Sequence, residues 1–352
     1  MAYRGISGNR GISGNRGVGE RMAEITPDEI KEYLSIIEGQ DITLPKLRTE
    51  FNIIPRTKSF DKIRDIVRRL VEQKILRPVG RRGEYRVIKP VEPINWWNDE
   101  ISEEPINLLF PRSHEDETEF GIEDCVEVFP GDMIAIAGAS NFGKTTLALN
   151  ILGENLGLMP CVLMGSEYTA SDGKISPKFK RRMNRMKWVT WIEDSKPRFK
   201  LYPVGSDYED YVQPDSLNVI DWVSLPGEYY LIDTVMKAIK DKVGRGIAVV
   251  VLQKNRAIEW GEGGERTERY ADIYITLDPY GKESMITLGK VKAPKGKATG
   301  RMWAFDIVDF GANLHRIREI VKCSKCWGKG YIRSGQNSIR CDNCQGKKFV
   351  DK

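Results

Sequence analysis

Gly138, Ala139, Ser140, Asn141, Phe142, Gly143, Lys144, Thr145 and Thr146 form the run in this sequence that speaks most directly of chemistry. They fit G-x-x-x-x-G-K-[ST], a loop whose backbone N–H groups cradle phosphates. An apolar run of strand length, 133–137, precedes the loop, and a helix start, 146–152, follows it. Strand, glycine loop and helix N-terminus together concentrate N–H groups and partial positive charge on an anion. Lys144 is expected at the β- and γ-phosphates and Thr145 on Mg²⁺. The ligand implied is a nucleoside triphosphate, ATP or GTP.

Other polar residues stand where short apolar runs end. Cys161–Met164 runs into Gly165, Ser166 and Glu167. A carboxylate at a strand end beside the loop is placed to orient or deprotonate an attacking water, so Glu167 is the candidate base, the alternative being a helix cap. A magnesium-holding aspartate must also end an apolar strand. Asp221 follows 217–220, and Asp233 follows 229–232. Leu231, Ile232, Val235, Met236 and Ile239 recur in helical phase, which puts Asp233 inside a helix of roughly 228–243 and leaves Asp221 as the strand end. Gln253 ends 247–252, where an amide can sense a terminal phosphate. The Gly-rich, charged loop 257–269 follows and reads as mobile and able to touch DNA.

At the C-terminus, Cys323-x-x-Cys326 and Cys341-x-x-Cys344 are separated by 14 residues. That spacing supplies a complete tetrahedral Cys₄ set for a structural Zn²⁺, the alternative being a redox dithiol pair. Cys125 and Cys161 read as ordinary buried thiols.

These residues must be held by folded elements. The 352 residues allow two or three domains. A composition 40% hydrophobic and 30% charged reads as globular, and no apolar run approaches the ~20 residues of a membrane span. Neither a secretion signal nor a disulfide scaffold is apparent, so a reducing cytoplasm is the expected compartment and no membrane partner is expected. The formal charge of +5 neither demands nor excludes nucleic acid. Residues 1–22, with the repeat GISGNR-GISGNR, read as a disordered basic tail. In 23–90, a capping box at Thr26–Glu29, three helical patterns and a hairpin tipped by Arg81 and Arg82 resemble a winged helix-turn-helix, which implies duplex DNA contact or a protein contact. Residues 91–125 read as a linker containing Trp96 and Trp97. Residues 126–318 alternate strands and helices, an α/β core with a mostly parallel sheet. Residues 319–352 form the cysteine module. Within the core, the basic stretch 174–187 reads as a helix lining a DNA path, meeting another subunit, or simply solvated.

The order of these motifs, with Pro130–Gly138 as entry strand, is similar to the RecA/DnaB branch of P-loop ATPases over roughly 120–310. The cysteine module is similar to DnaJ-type and zinc-ribbon elements. The resemblance implies a RecA-like core and an ATP-hydrolysing DNA motor, a DnaB-like ring helicase in replication. It implies a homo-oligomer, a hexamer, with single-stranded DNA in the ring. In DnaB-type helicases a K-x-R strand reaches a neighbour's ATP. The matching residues here are Lys290 and Lys292, with lysine in place of arginine. A RecA- or KaiC-like DNA-dependent ATPase without unwinding, and an ATP-switched DNA-binding initiator, are the alternatives.

Overall fold

The computed structural model describes residues 25–55, 57–93, 97, 104–223, 225, 227–255, 258, 260–334 and 337–352. The basic tail, Trp96 and Arg256 lie outside these residues. Two compact units divide the chain between Glu100 and Ile101.

The N-terminal unit contains α1 (Pro27–Ile36), β1 (Asp41–Thr43), α2 (Leu44–Glu50), α3 (Lys58–Glu72), β2 (Leu76–Pro78) and β3 (Glu84–Val87). Thr26 and Glu29 close the capping box at α1, and Pro27 occupies its first turn. Thr43 caps α2. Ile63, Ile66, Val67 and Leu70 bury one face of α3, packing with Ile30, Leu34 and Leu47. The strands form an antiparallel sheet in the order β1-β3-β2. Arg81 and Arg82 stand exposed between β2 and β3.

The second unit is built on β4 (Met133–Gly138), α4 (Lys144–Asn155), β5 (Cys161–Met164), α5 (Pro177–Arg185), β6 (Ile192–Glu193), β7 (Lys196–Pro197), β8 (Phe199–Tyr202), β9 (Leu217–Val223), α6 (Ile232–Lys242) and β10 (Ile247–Gln253). It continues with β11 (Ile273–Tyr280), β12 (Glu283–Val291), β13 (Met302–Val308), β14 (Asn313–Lys322), β15 (Tyr331–Ser334), β16 (Asn337–Arg340) and β17 (Phe349–Asp351). Ten strands form one sheet, ordered β17-β14-β13-β12-β11-β4-β10-β9-β5-β8. The six from β11 to β8 are parallel, and β12, β13, β14 and β17 extend them as an antiparallel meander. The fold class is therefore the expected one, a mixed α/β core with a parallel centre.

Both faces of the parallel part are covered, which explains why β4, β5 and β10 read as unbroken apolar runs. Ile134 and Ile136 of β4 face the side packed by Leu147, Ile151 and Leu152 of α4. Met133, Ala135 and Ala137 face the side packed by Met236 and Ile239 of α6. The alternation is the period-2 pleat of a strand.

Part of the expected linker belongs to this unit. Leu108, Phe110, Phe120 and Ile122 are buried in the α4-side core, and the Leu109 N–H donates to Asn155 Oδ1 at 3.0 Å. The prolines and acidic residues masked four apolar side chains with a place to go.

The cysteine module is tied back to the sheet. β17 pairs with β14 through Ile320↔Asp351 and Lys322↔Phe349, so the chain leaves the sheet at Lys322 and rejoins it at Phe349.

Candidate nucleotide and metal sites

The phosphate loop leaves the C-terminal end of β4 and enters α4. Gly143 adopts φ +96°, and a Cβ there would lie 2.3 Å from Ile307 Cδ1, so the position excludes a side chain on two counts. The loop lines an open cleft of about 590 Å³ together with Glu167, Arg182, Trp222, Gln253 and Asp306.

Topology brings these residues together. β10 lies beside β4 with Gln253 opposite Gly138. Lys144 Nζ donates to Gln253 Oε1 at 2.8 Å and to the Ala139 carbonyl at 3.1 Å, while Gln253 Nε2 donates to Ser140 Oγ at 2.9 Å. The amide thus joins Lys144 to the loop. Burial lowers the Lys144 pKa, opposed by the charges of Asp221, Glu167 and Glu262.

Asp221 lies within β9, and β9 continues beyond it to Val223. It is 3% exposed. Tyr168 Oη donates to its Oδ2 at 2.6 Å. Its Oδ1 is buried with no hydrogen-bond partner among the described residues. Burial raises its pKa, opposed by the Tyr168 hydrogen bond and by the nearby Thr145 hydroxyl. An orphaned carboxylate oxygen beside the Thr145 hydroxyl is a donor set suited to a hard divalent cation, so these residues fit Mg²⁺. Asp233 sits in the first turn of α6 and pairs with Arg269 at 2.9 Å, as helical phase predicts.

Glu167 occupies a single 3₁₀ turn, Ser166–Tyr168, directly after β5. Its neighbour Tyr168 is the residue that grips Asp221, so the candidate base and the candidate metal ligand share one anchor. Gly165 lets the two strand ends approach, since a Cβ there would lie 2.1 Å from the Asp221 carbonyl oxygen.

The cleft also holds residues the sequence reading missed. The turn between β13 and β14 reaches the loop, where Thr146 Oγ1 donates to the Gly311 carbonyl at 2.8 Å. Arg182 enters from α5, the helix whose partner the sequence left open. A pattern of Phe179, Arg182 and Met183 marks a mixed face on α5, but nothing local shows what that face meets.

Lys290 and Lys292 do not come to this cleft. Lys290 pairs in register with Tyr274, roughly 10 Å back along β11 from Leu277, which lies opposite Gly138. Lys290 Nζ donates to the Glu268 carbonyl at 2.6 Å, and Lys292 Nζ contacts Asp272 at 2.6 Å. Burial pushes the Asp272 pKa up, but hydrogen bonds from Lys240 and Lys292 outweigh it and hold the carboxyl below its usual range.

The described part of the loop after β10 is packed. Thr267 is fully buried and bonded to Tyr274 Oη, and the Arg266 guanidinium donates to the Tyr230 carbonyl at 2.8 Å. Gly263, at φ +111°, permits the close approach to Ile232.

The sulfurs of Cys323, Cys326, Cys341 and Cys344 lie within 4.8 Å of one another. Cys323 Sγ is 3.8 Å from Cys341 Sγ, and Cys326 Sγ is 3.6 Å from Cys344 Sγ. A tetrahedron with metal–sulfur bonds of about 2.3 Å has edges of about 3.8 Å, whereas a disulfide needs about 2.05 Å. The Gly330 N–H donates to Cys326 Sγ, and Asn343 Nδ2 donates to Cys323 Sγ, each at 3.2 Å. The Asn343 bond is the largest cause of a Cys323 pKa lowered to about 6. These contacts favour thiolates at Cys323 and Cys326, while burial pushes the Cys344 pKa up to about 11, and the four sulfurs have the spacing of a tetrahedral metal centre.

No protein-family model and no curated protein matches the sequence. Among solved structures, a KaiC-like protein from the hyperthermophilic archaeon Pyrococcus horikoshii OT3 is similar with a TM-score of 0.45 and 15% identity, over 61% of this chain and 99% of that one. The RadB recombinase is similar with a TM-score of 0.39 and 17% identity, over 53% of this chain and 92% of that one.

Proposed function

We propose that this chain is an ATP-hydrolysing DNA motor, a DnaB-like ring helicase acting in replication. The observation that supports the reading is the single cleft lined by Lys144, Thr145, Gln253 and Glu167, with the buried carboxylate of Asp221 beside Thr145. In this reading the loop N–H groups and Lys144 bind the phosphates of ATP, and Glu167 takes the proton of the attacking water. Thr145 and Asp221 would hold Mg²⁺, which when bound neutralises charge on the phosphates. Gln253 changes partners: a terminal phosphate competes for Lys144, releasing the amide from the lysine. Because β10 carries Gln253 at one end and the packed 260–269 loop follows it, that exchange is the proposed link from nucleotide to DNA-contacting loop.

The N-terminal unit is proposed as the duplex-binding winged helix and the cysteine module as a Zn²⁺ site. Arg64, Arg68 and Arg69 stand on the exposed face of α3, and Arg81 and Arg82 at the hairpin tip. Replacing Arg81 and Arg82 by Ala is expected to weaken duplex binding and to reduce the slope of log K against log salt by about 2. A salt titration by fluorescence anisotropy measures both, and an unchanged slope would remove the hairpin from the DNA interface.

A second reading, an ATPase that acts on DNA without unwinding it, is favoured by one specific observation. Lys290 and Lys292 are engaged inside their own subunit, and Lys292 must leave Asp272 before it can serve a neighbour. Strand displacement separates the readings. The helicase reading expects ATP-dependent unwinding by hexamers assembled with an ATP analogue and single-stranded DNA. DNA-stimulated hydrolysis with no unwinding would leave only the second. Among the described residues no helix is long and apolar enough to cross a membrane.

A further inference from the structure

α5 is fixed against the nucleotide cleft at both ends. Near its start, Phe179 packs on Tyr168 with ring centroids 4.5 Å apart, and Tyr168 is the residue bonded to Asp221. At its end, Asn313 Nδ2 donates to the Arg185 carbonyl at 3.2 Å, and Arg185 lies over the Phe310 ring at 4.2 Å. Phe310 and Asn313 flank Gly311, whose carbonyl accepts from Thr146. The helix therefore spans from the Asp221 anchor to the turn that touches the phosphate loop.

Between these anchors sits Arg182, three residues after Phe179 and so on the same helical face. It lines the cleft together with Lys144, Thr145 and Glu167. A Cβ on Gly311 would lie 3.2 Å from its guanidinium, so the side chain lies close against the turn that touches the phosphate loop. Its charge acts on both Asp221 and Tyr168. Among the described residues the guanidinium has neither an ion pair nor a hydrogen bond. Lys282 is the other cation that lines the cleft away from the phosphate loop, and it is a point charge without a guanidinium fork; Arg301, Arg316 and Arg318 are committed to Glu319, Asp306 and Glu283.

We propose that Arg182 is the catalytic cation for the terminal phosphate, supplied by the same chain that supplies the phosphate loop. The proposal rests on the ATPase reading of the cleft. In hydrolysis the water oxygen bonds to the γ-phosphorus and the bond to the β–γ bridging oxygen breaks. The water proton passes to Glu167, and the products are ADP and inorganic phosphate. Arg182 donates N–H groups to the γ-phosphoryl oxygens as charge builds there. A planar fork suits those oxygens in a way a lysine does not. With the cation in cis, turnover does not wait for a neighbour's Lys290 or Lys292. Oligomerisation then serves DNA engagement and is not a condition for chemistry.

Arg182→Ala and Arg182→Lys test the proposal, with native circular dichroism required of both. Calorimetry with ADP and with a non-hydrolysable ATP analogue reads the ground state. The Ala variant is expected to lose about 10-fold in analogue affinity and less than about 2-fold for ADP, since only the analogue carries the third phosphate. Its kcat is expected to fall by about 10³ or more, the range in which a transition-state arginine acts. The Lys variant is expected to regain analogue affinity and to leave kcat low. Mixing Arg182→Ala with Lys144→Ala is expected to restore no activity, because each active site needs both residues from one chain. Equal losses for ADP and analogue would reduce Arg182 to a structural role. Turnover within about 3-fold of the unmodified protein would overturn the catalytic assignment, and regained activity in the mixture would assign Arg182 to a neighbouring subunit. An unmodified protein without hydrolysis refutes the ATPase reading separately, and the ADP-to-analogue comparison still tests Arg182.

Discussion

Replacing Glu167 by Gln is expected to cut ATP turnover by roughly 10²–10⁴-fold, the usual contribution of a positioned general base. Nucleotide affinity should stay within about 3-fold. The substitution keeps size and hydrogen-bonding reach while removing the proton acceptor. Its local structure should survive, because the turn is held by its neighbours: Tyr168 Oη on Asp221, and Tyr168 packed on Phe179. Glu167 itself is exposed toward the cleft and carries none of that packing. Single-turnover hydrolysis beside a calorimetric titration separates the two quantities. Turnover unchanged within 2-fold would return Glu167 to the status of a polar residue after a strand, and the base would have to be sought elsewhere along the cleft. Affinity falling in step with turnover would mean that the substitution had disturbed the Tyr168–Asp221 anchor.

What could be read in the sequence was local or periodic. β4, β5 and β10 at the centre of the sheet carry unbroken apolar runs because α4 and α6 cover the two faces, and such runs announce themselves. Asp221 and Asp233 were separable because a helix and a strand have different periods. The cysteine set was legible because its two CxxC pairs fall at a spacing from which four sulfurs can converge. What could not be read depended on contacts between distant segments. Thr146 meets Gly311 across 165 residues, and no property of either residue announces that bond. Arg182 is one of several cations in a short basic helix, and its neighbours in sequence do not differ from it in type. Only the pairing of α5 with Tyr168 at one end and Asn313 at the other selects it. The same limit applies to Lys290 and Lys292. Motif position implies contact with a neighbour's nucleotide, and it does not announce the register that sets both lysines at the far end of β11, against Asp272 and the Glu268 carbonyl of their own subunit.

Removal of the metal from the cysteine module is expected to unfold residues 323–348 without emptying the nucleotide cleft. The segment has almost no apolar core besides its four cysteines, with Ile332 and Val350 packed on them. Its folding energy must therefore come from the metal, on the order of 10 kcal/mol for four thiolates on Zn²⁺. Loss of the module frees β17 from β14 at Ile320–Lys322 and uncovers that edge of the sheet. The nucleotide contact lies at the opposite end of β14, next to Gly311 and roughly 25 Å away at about 3.3 Å per residue. The two ends should respond separately. After chelation or Cys323→Ser with Cys341→Ser, amide exchange should rise at 320–322 and 349–351, and ATP affinity should hold within about 3-fold. A chromogenic assay should find about one metal released per chain and all four thiols newly reactive. Absence of metal would defeat the zinc assignment, since the sulfur distances then have no ion to hold them. Loss of ATP binding together with the metal would show that β14 transmits the state of the module to Gly311. The cysteine centre would then belong to the nucleotide machinery and not to the scaffold at its edge.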